Sequence, residues 1–230
     1  MSFFIFHNQS VFFHSVTKEG DQCIHVDDSV DVNLLLRQNT DTKYIFINSS
    51  RFTLVPSAIF TASQSNEYFK LNFGQTISNE RVYFSINNAF DITNIFGIRE
   101  EIDKFRESLQ RPLIIEHFSQ FLLRYAKISG REDQAFLIVT PCFSYFFFKE
   151  AEKLTQLSVG EFENESDVIY FLLAHLKSIE IKEIENLNVC VLNEVTNFTP
   201  DEFEQLMREV STLSQTRINY IEPVQLFSAL

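Results

Sequence analysis

The chain of 230 residues has no tryptophan, five glycines, five prolines and three cysteines. So little glycine and proline excludes long flexible linkers. Cys23, Cys142 and Cys190 form an odd, widely spaced set with no CxxC pair. That argues against a disulfide framework and fits a reducing compartment, with thiols used as small core residues. No apolar stretch nears the roughly 18 residues that a membrane-spanning helix needs. The aromatic run Phe143 to Phe148 is stopped by Lys149 and Glu150, and the run Ser2 to Phe6 is too short for a signal peptide and lacks a basic flank. These features lead to the expectation of a soluble, cytoplasmic protein. Basic residues are scarce in one half. Residues 132–230 hold 17 Asp+Glu and 6 Lys+Arg, a net of −11, while residues 1–131 hold 14 and 13, a net of −1. The total of −12 repels phosphate backbones, so nucleic acid is excluded as a non-specific partner. The acidic half reads as a solvated surface, or as a docking face for an unidentified protein partner, a basic one being the case its charge favours. No GxSxG, HExxH, Walker or Rossmann motif is present.

What is abundant is phenylalanine, used 26 times in a chain that is 45% hydrophobic. Aromatic side chains suit pleated, half-buried surfaces, so the excess reads as strand and core filler. In the second half, Ala135 to Thr140 is a short continuous apolar run, as in a central strand buried on both faces. Tyr145 to Ala151 and Leu154 to Phe162 follow as an antiparallel meander. Ser166 is the expected cap of a helix whose Ile169, Leu172, Leu173, Leu176 and Ile179 recur at helical spacing. Leu187 to Leu192 is a fourth strand. Thr199, Pro200 and Glu202 spell a helix start, with Phe198 and Phe203 placed as a hydrophobic staple. Arg217 to Glu222 is a fifth strand, closed by Pro223.

The first half reads in nearly the same order. Ser2 to Phe6, Val11 to Val16 and Gln22 to Val26 form a meander; Asp28 or Ser29 caps a helix through Leu34, Leu35 and Leu36; Lys43 to Asn48 is strand four. Pro56 opens a helical turn and Glu67 to Phe73 is helical. Val82 to Ile86 and Asp91 to Phe96 are strands, the second taken to close the sheet. Ile98, Ile102, Phe105 and Leu109 mark a helix, Leu113 to Glu116 is extended, and Phe118, Phe121, Leu122 and Tyr125 mark a further helix. The hinge Ser129 to Asp133 separates the patterns, giving expected domains of 1–131 and 132–230. Three meandering strands, then alternating helix and strand, is the order of a ribonuclease-H-like domain with a mixed α/β sheet.

Two such domains in tandem is the plan of the actin-like ATPase superfamily. At Ser49 to Pro56, Tyr68 to Phe73, Asn94 to Ile98 and Ala135 to Tyr145, the chain resembles a narrower bacterial family, mainly from bacteroidetes, of unknown function and actin-like fold. The resemblance implies the fold and no established activity. Relatives with ATPase activity hold phosphate and magnesium in an Asp-x-Gly-type turn after the first strand of each domain, and adenosine in a Gly-Gly turn. Here the first turn is Phe6-His7-Asn8-Gln9-Ser10 and the second Thr140-Pro141-Cys142-Phe143-Ser144-Tyr145. Neither has Asp or Gly, and Pro141 lacks an N–H. The third, Asn193 to Asn197, has no glycine and carries Glu194. A nuclease site fails as well, because neither first strand carries an acid for two-metal chemistry.

The expectation is therefore a degenerate actin-like fold acting as a non-catalytic interaction or scaffold protein, with no catalytic residue, no cofactor and no metal site. The alternative is a degenerate nucleotide-binding protein or weak ATPase using the interdomain cleft, with Asn8, Ser10, Ser144 and Asn193 as candidate contacts. His7, His14 and His25 on successive strands are a weaker metal candidate. Glu180, Glu183 and Glu185 are candidate contacts for a basic partner.

Overall fold

The computed structural model describes residues 2–7, 10–17, 20–26, 30–77, 79–130, 133–141, 143–178, 184–192 and 200–227. One compact unit ends at Tyr125 and the next begins at Ala126. The expected boundary, Arg131–Glu132, lies outside the described residues.

The first unit opens with β1 (Ser2–His7), β2 (Ser10–Thr17) and β3 (Gly20–Val26), an antiparallel meander. The helix α1 (Val32–Gln38) follows, then β4 (Tyr44–Asn48), β5 (Phe52–Pro56), α2 (Ser65–Phe73), β6 (Glu80–Asn87), β7 (Ile92–Arg99), α3 (Glu100–Ser108), β8 (Ile114–His117) and α4 (Phe118–Ile128). The larger sheet has the order β3-β2-β1-β4-β8, with β1/β4 and β4/β8 parallel. Asp31 caps α1 by accepting the Leu34 N–H at 3.0 Å; Asp28 and Ser29, the expected caps, are outside the described residues.

Two differences from the sequence reading matter. Phe52 to Pro56 forms a strand that runs into the helical turn Ser57–Ile59, which Pro56 opens as expected, and β7 does not close the main sheet. Instead β5, β7 and β6 form a separate antiparallel sheet, and β8 closes the larger one. Alternation explains the second sheet's two faces. Phe96 and Ile98 of β7 join Phe4, Phe6, Phe13, Ile45 and Ile47 in one core with Leu36 and Ile102. Ile95, one residue out of phase, packs with Val55 and Phe69 beneath α2. The opposite face of the larger sheet is buried too: Phe46 meets Phe118 and Phe121 of α4 at centroid distances of 6.0 and 5.6 Å.

The second unit repeats the order. β9 (Gln134–Thr140), β10 (Phe143–Glu150) and β11 (Lys153–Glu161) meander; α5 (Glu165–Ser178), β12 (Asn186–Val191), α6 (Pro200–Ser214), β13 (Arg217–Tyr220) and a short α7 (Pro223–Phe227) follow. The sheet order β11-β10-β9-β12-β13 matches that of the first unit position for position. Asn164, not Ser166, caps α5: its Oδ1 accepts the Asp167 N–H at 3.2 Å, and Asp167 Oδ2 accepts the Glu163 N–H at 2.9 Å. The reciprocal pair satisfies orphan donors that a lone serine leaves open. Thr199 and Phe198 lie outside the described residues. One face of the sheet, with Leu137, Val139, Phe146 and Phe148, packs on Val168 and Leu172 of α5 and on Phe203, Met207 and Val210 of α6. Residues of the other face, including Phe136, Ile138, Tyr145 and Phe147, are equally buried. That is why β9 and β10 read as unbroken apolar runs rather than alternating ones. Among the described residues, the largest fully buried side chains are Tyr145 and a set of phenylalanines, so phenylalanine is the volume that fills these cores.

α5 approaches β11 closely at one point. A Cβ on Gly160 would lie 2.6 Å from Cδ2 of Phe171. Gly160→Ala therefore forces α5 away from the sheet and is expected to cost about 1–3 kcal/mol in urea unfolding. Adding Phe171→Leu should recover part of that loss, because the two changes share one contact.

Candidate functional site

The turns where this architecture meets phosphate come first. His7 pairs with Ser10 across a two-residue connection, and Asn8 lies outside the described residues. Ser10 is half-buried at the start of β2. In the second unit Thr140 pairs with Phe143, again across two residues. Thr140 Oγ1 donates to the Phe143 carbonyl at 2.9 Å, closing the turn on itself. Thr140, Phe143 and Ser144 are buried. Ser144 points to the α5 side of its sheet, in register with Gly160, and its hydroxyl donates to the Gly160 carbonyl at 3.4 Å. The hydroxyls of Thr140 and Ser144 are thus committed to carbonyls, and Pro141 has no N–H to offer. Asn193, Glu194 and the turn to Asn197 lie outside the described residues, as do Cys142, Glu180 and Glu183; Glu185 is exposed.

Of the three strand histidines, the side chains of His14 and His25 are described. His14 is buried and stacks on Phe3 at 5.3 Å, with Nε2 3.6 Å from Cys23 Sγ. His25 is exposed and tilts against Phe12 at 5.2 Å. Among the described residues, no group of three His, Cys, Asp or Glu side chains is placed to hold a metal. No described helix is long and apolar enough to cross a membrane.

The densest polar arrangement lies where the smaller sheet meets the larger one. His117, at the end of β8, is fully buried. Its Nε2 lies 2.9 Å from the Ser49 carbonyl, which requires a proton on that nitrogen. Its Nδ1 then accepts from the Ser119 hydroxyl at 2.7 Å and the Ser119 N–H at 3.2 Å. Ser119 Oγ in turn accepts from Asn94 Nδ2 at 2.6 Å. Rings of Phe52 and Phe96 cover the imidazole at 4.3 and 5.7 Å. Burial drives the His117 pKa down to about 3. This serine–histidine pair resembles a nucleophile and its base by distance alone. Both ring nitrogens are occupied, and neither side chain reaches solvent, so its chemistry is cohesion.

Beside it, Arg51 grips Glu80 through Nε–Oε1 and Nη2–Oε2 contacts, both 2.8 Å. The guanidinium lies 5.2 Å from the ring centroids of Phe69 and of Phe73. Glu80 Oε2 also accepts the Ile77 N–H at 3.0 Å. The carboxylate lies over Gly97, where a Cβ would come 2.6 Å from Cδ of Glu80, and the Gly97 N–H donates to the Arg51 carbonyl at 3.2 Å. The separate words of the sequence resemblance, Ser49 to Pro56, Tyr68 to Phe73 and Asn94 to Ile98, therefore meet in one place. The sequence reading gave His117 no functional role. The signal it missed was the spacing His117-x-Ser119 at a strand-to-helix junction, where a serine can close on the ring.

The duplicated five-stranded order defines an actin-like frame. A protein from Bacteroides thetaiotaomicron with actin-like ATPase fold and unknown function superposes with a TM-score of 0.72, at 19% identity, over 99% of this chain and 93% of that one. The PilM–PilN type IV pilus biogenesis complex contains a chain matching with a TM-score of 0.52 at 10% identity, over 99% of this chain and 88% of that one. The chain belongs to the family described as protein of unknown function (DUF3822), whose model matches residues 3–209. Comparison with curated proteins gives no match.

His117 makes stability depend on pH. The unfolded chain takes up a proton near the ordinary value of 6.5 and the folded chain only near 3, so in that window the unfolded state binds more protons. Stability is fully present above 6.5 and falls with pH, by roughly 1.4 kcal/mol per unit from this group. Unfolding of His117→Gln at several pH values should show lower stability at neutral pH and a shallower decline on acidification. An unchanged slope would contradict this assignment.

Proposed function

We propose that this protein is a non-catalytic binding scaffold, an actin-like frame of two ribonuclease-H-like domains, residues 1–131 and 132–230, that engages a protein partner in the cytoplasm. One observation carries the reading: the β9–β10 turn is closed by its own hydroxyl and filled with buried side chains, where a phosphate-binding turn presents amides and a glycine. The first-unit turn, Phe6 to Ser10, has the same shortage of glycine and acid. At the β9–β10 turn, binding a triphosphate requires donors that Thr140, Pro141 and Ser144 do not offer. The charge of −11 over residues 132–230 favours a basic partner, with Asp201, Glu202 and Glu209 of α6 exposed for it. The use of the same fold in the PilM–PilN complex is consistent with a frame that holds another protein.

Two measurements test the reading. Thermal unfolding with magnesium and ATP should be superimposable on that of the protein alone, and no phosphate should be released. A rise of several degrees would instead establish the degenerate nucleotide binder, with Ser10 and Ser144 as the first positions to substitute. Affinity capture at low ionic strength should recover a basic protein that moderate salt releases, and Asp201→Lys/Glu202→Lys/Glu209→Lys should lose it.

A further inference from the structure

Among the described residues, the smaller sheet ends in an edge without the usual protection. β6 is its outer strand and pairs with β7 over eight residues without a register shift. It contains no proline and no lysine. The opposite edge, β5, is shorter and ends in Pro56. Natural edges of this length are ordinarily blunted by proline, lysine, a bulge or a covering element.

The phase of the ladder identifies what the edge offers. The Glu100 N–H donates to the Asn79 carbonyl at 2.9 Å, continuing the β6–β7 register by one pair. Main-chain groups of residues 81, 83, 85 and 87 therefore point to β7, and those of Val82, Phe84 and Ile86 point outward. The Gly97 N–H to Arg51 carbonyl bond at 3.2 Å, across the other side of β7, has the matching phase. Glu80 is already engaged through its N–H with the Ile77 carbonyl at 3.0 Å, and Gln120 Nε2 reaches the Ile86 carbonyl at 3.3 Å. The open edge is thus the main-chain groups of Val82 and Phe84 and the N–H of Ile86, centred on Phe84. The side chains of these same residues share the face turned to α2, where Phe84, against Phe60 at 5.0 Å, is 41% and Ile86 53% exposed.

We infer that β6 pairs antiparallel with β6 of a second copy of this chain about a two-fold axis at Phe84, joining the two three-stranded sheets into one. The segment is self-complementary. Phe84 faces its own mate, and Val82 faces Ile86, so one side is an uninterrupted apolar row. On the other side Tyr83 faces Ser85. Arg81 falls opposite Asn87, so no like charges meet. A two-fold axis needs this symmetry, and a heterologous strand has no call on it.

Sedimentation velocity across a wide concentration range tests the pairing. The wild type should pass from a 26.9 kDa monomer to a species of twice that mass. Phe84→Lys sets two ammonium groups opposite each other and should weaken the dimer by about tenfold or more. Phe84→Pro removes an outward N–H along with the ring packed on Phe60 and should also give monomer, while circular dichroism shows both variants folded. Phe84→Val should keep the dimer. A wild type that stays monomeric throughout overturns the pairing and leaves the edge to an extended segment of another protein. A dimer that survives Phe84→Lys with its affinity unchanged overturns it as well.

Discussion

The first unit depends on a bidentate ion pair held against a glycine. Arg51 leaves the end of β4, Glu80 opens β6, and Gly97 lies in β7 between them in space; the pair closes only because Gly97 has no side chain. Half-buried charges repay their desolvation when geometry is good and the remaining lone pairs are satisfied. Here Ile77 supplies the extra donor and two phenylalanine rings cover the cation. The His117 bond to the Ser49 carbonyl fixes the same segment from the other side. Together they fasten the inserted three-stranded sheet to the larger one, and this joint gives the unit its shape.

Against that joint, the repeated strand order in both units shows what the frame keeps and what it lacks. The sheet cores are filled with phenylalanine, isoleucine and leucine on both faces. A core of this kind tolerates wide substitution while its pattern and volume last. The phosphate turns have no such latitude, since they depend on glycine conformations and free amides at fixed places. A chain can therefore hold the fold while its turns are occupied by Pro141, Phe143 and a Thr140 hydroxyl directed inward.

Much of the fold was legible because buried strands and amphipathic helices carry strong periodic signals. The runs Ser2 to Phe6 and Lys43 to Asn48 announced strands, and Ala135 to Thr140 a central one. The insertion was not legible in the same way. Phe52 to Pro56 is a short run that ends in a proline, and nothing local told β7 to pair with β5 and β6 instead of the main sheet. That choice rests on Arg51, Glu80 and Gly97, residues far apart in sequence. The cap of α5 was misread for a local reason: Ser166 is a good capping residue, but Asn164 and Asp167 together satisfy more donors. The quality of the turns, by contrast, could be read directly, because absence of glycine and acid is a property of composition.

Hydrogen–deuterium exchange of the two turns with and without saturating magnesium and ATP measures the central claim most directly. Peptides spanning Phe6 to Ser10 and Thr140 to Tyr145 should exchange at the same rates in both conditions, since no amide there has a phosphate to bind. Slowed exchange at both turns on addition of nucleotide would contradict the account.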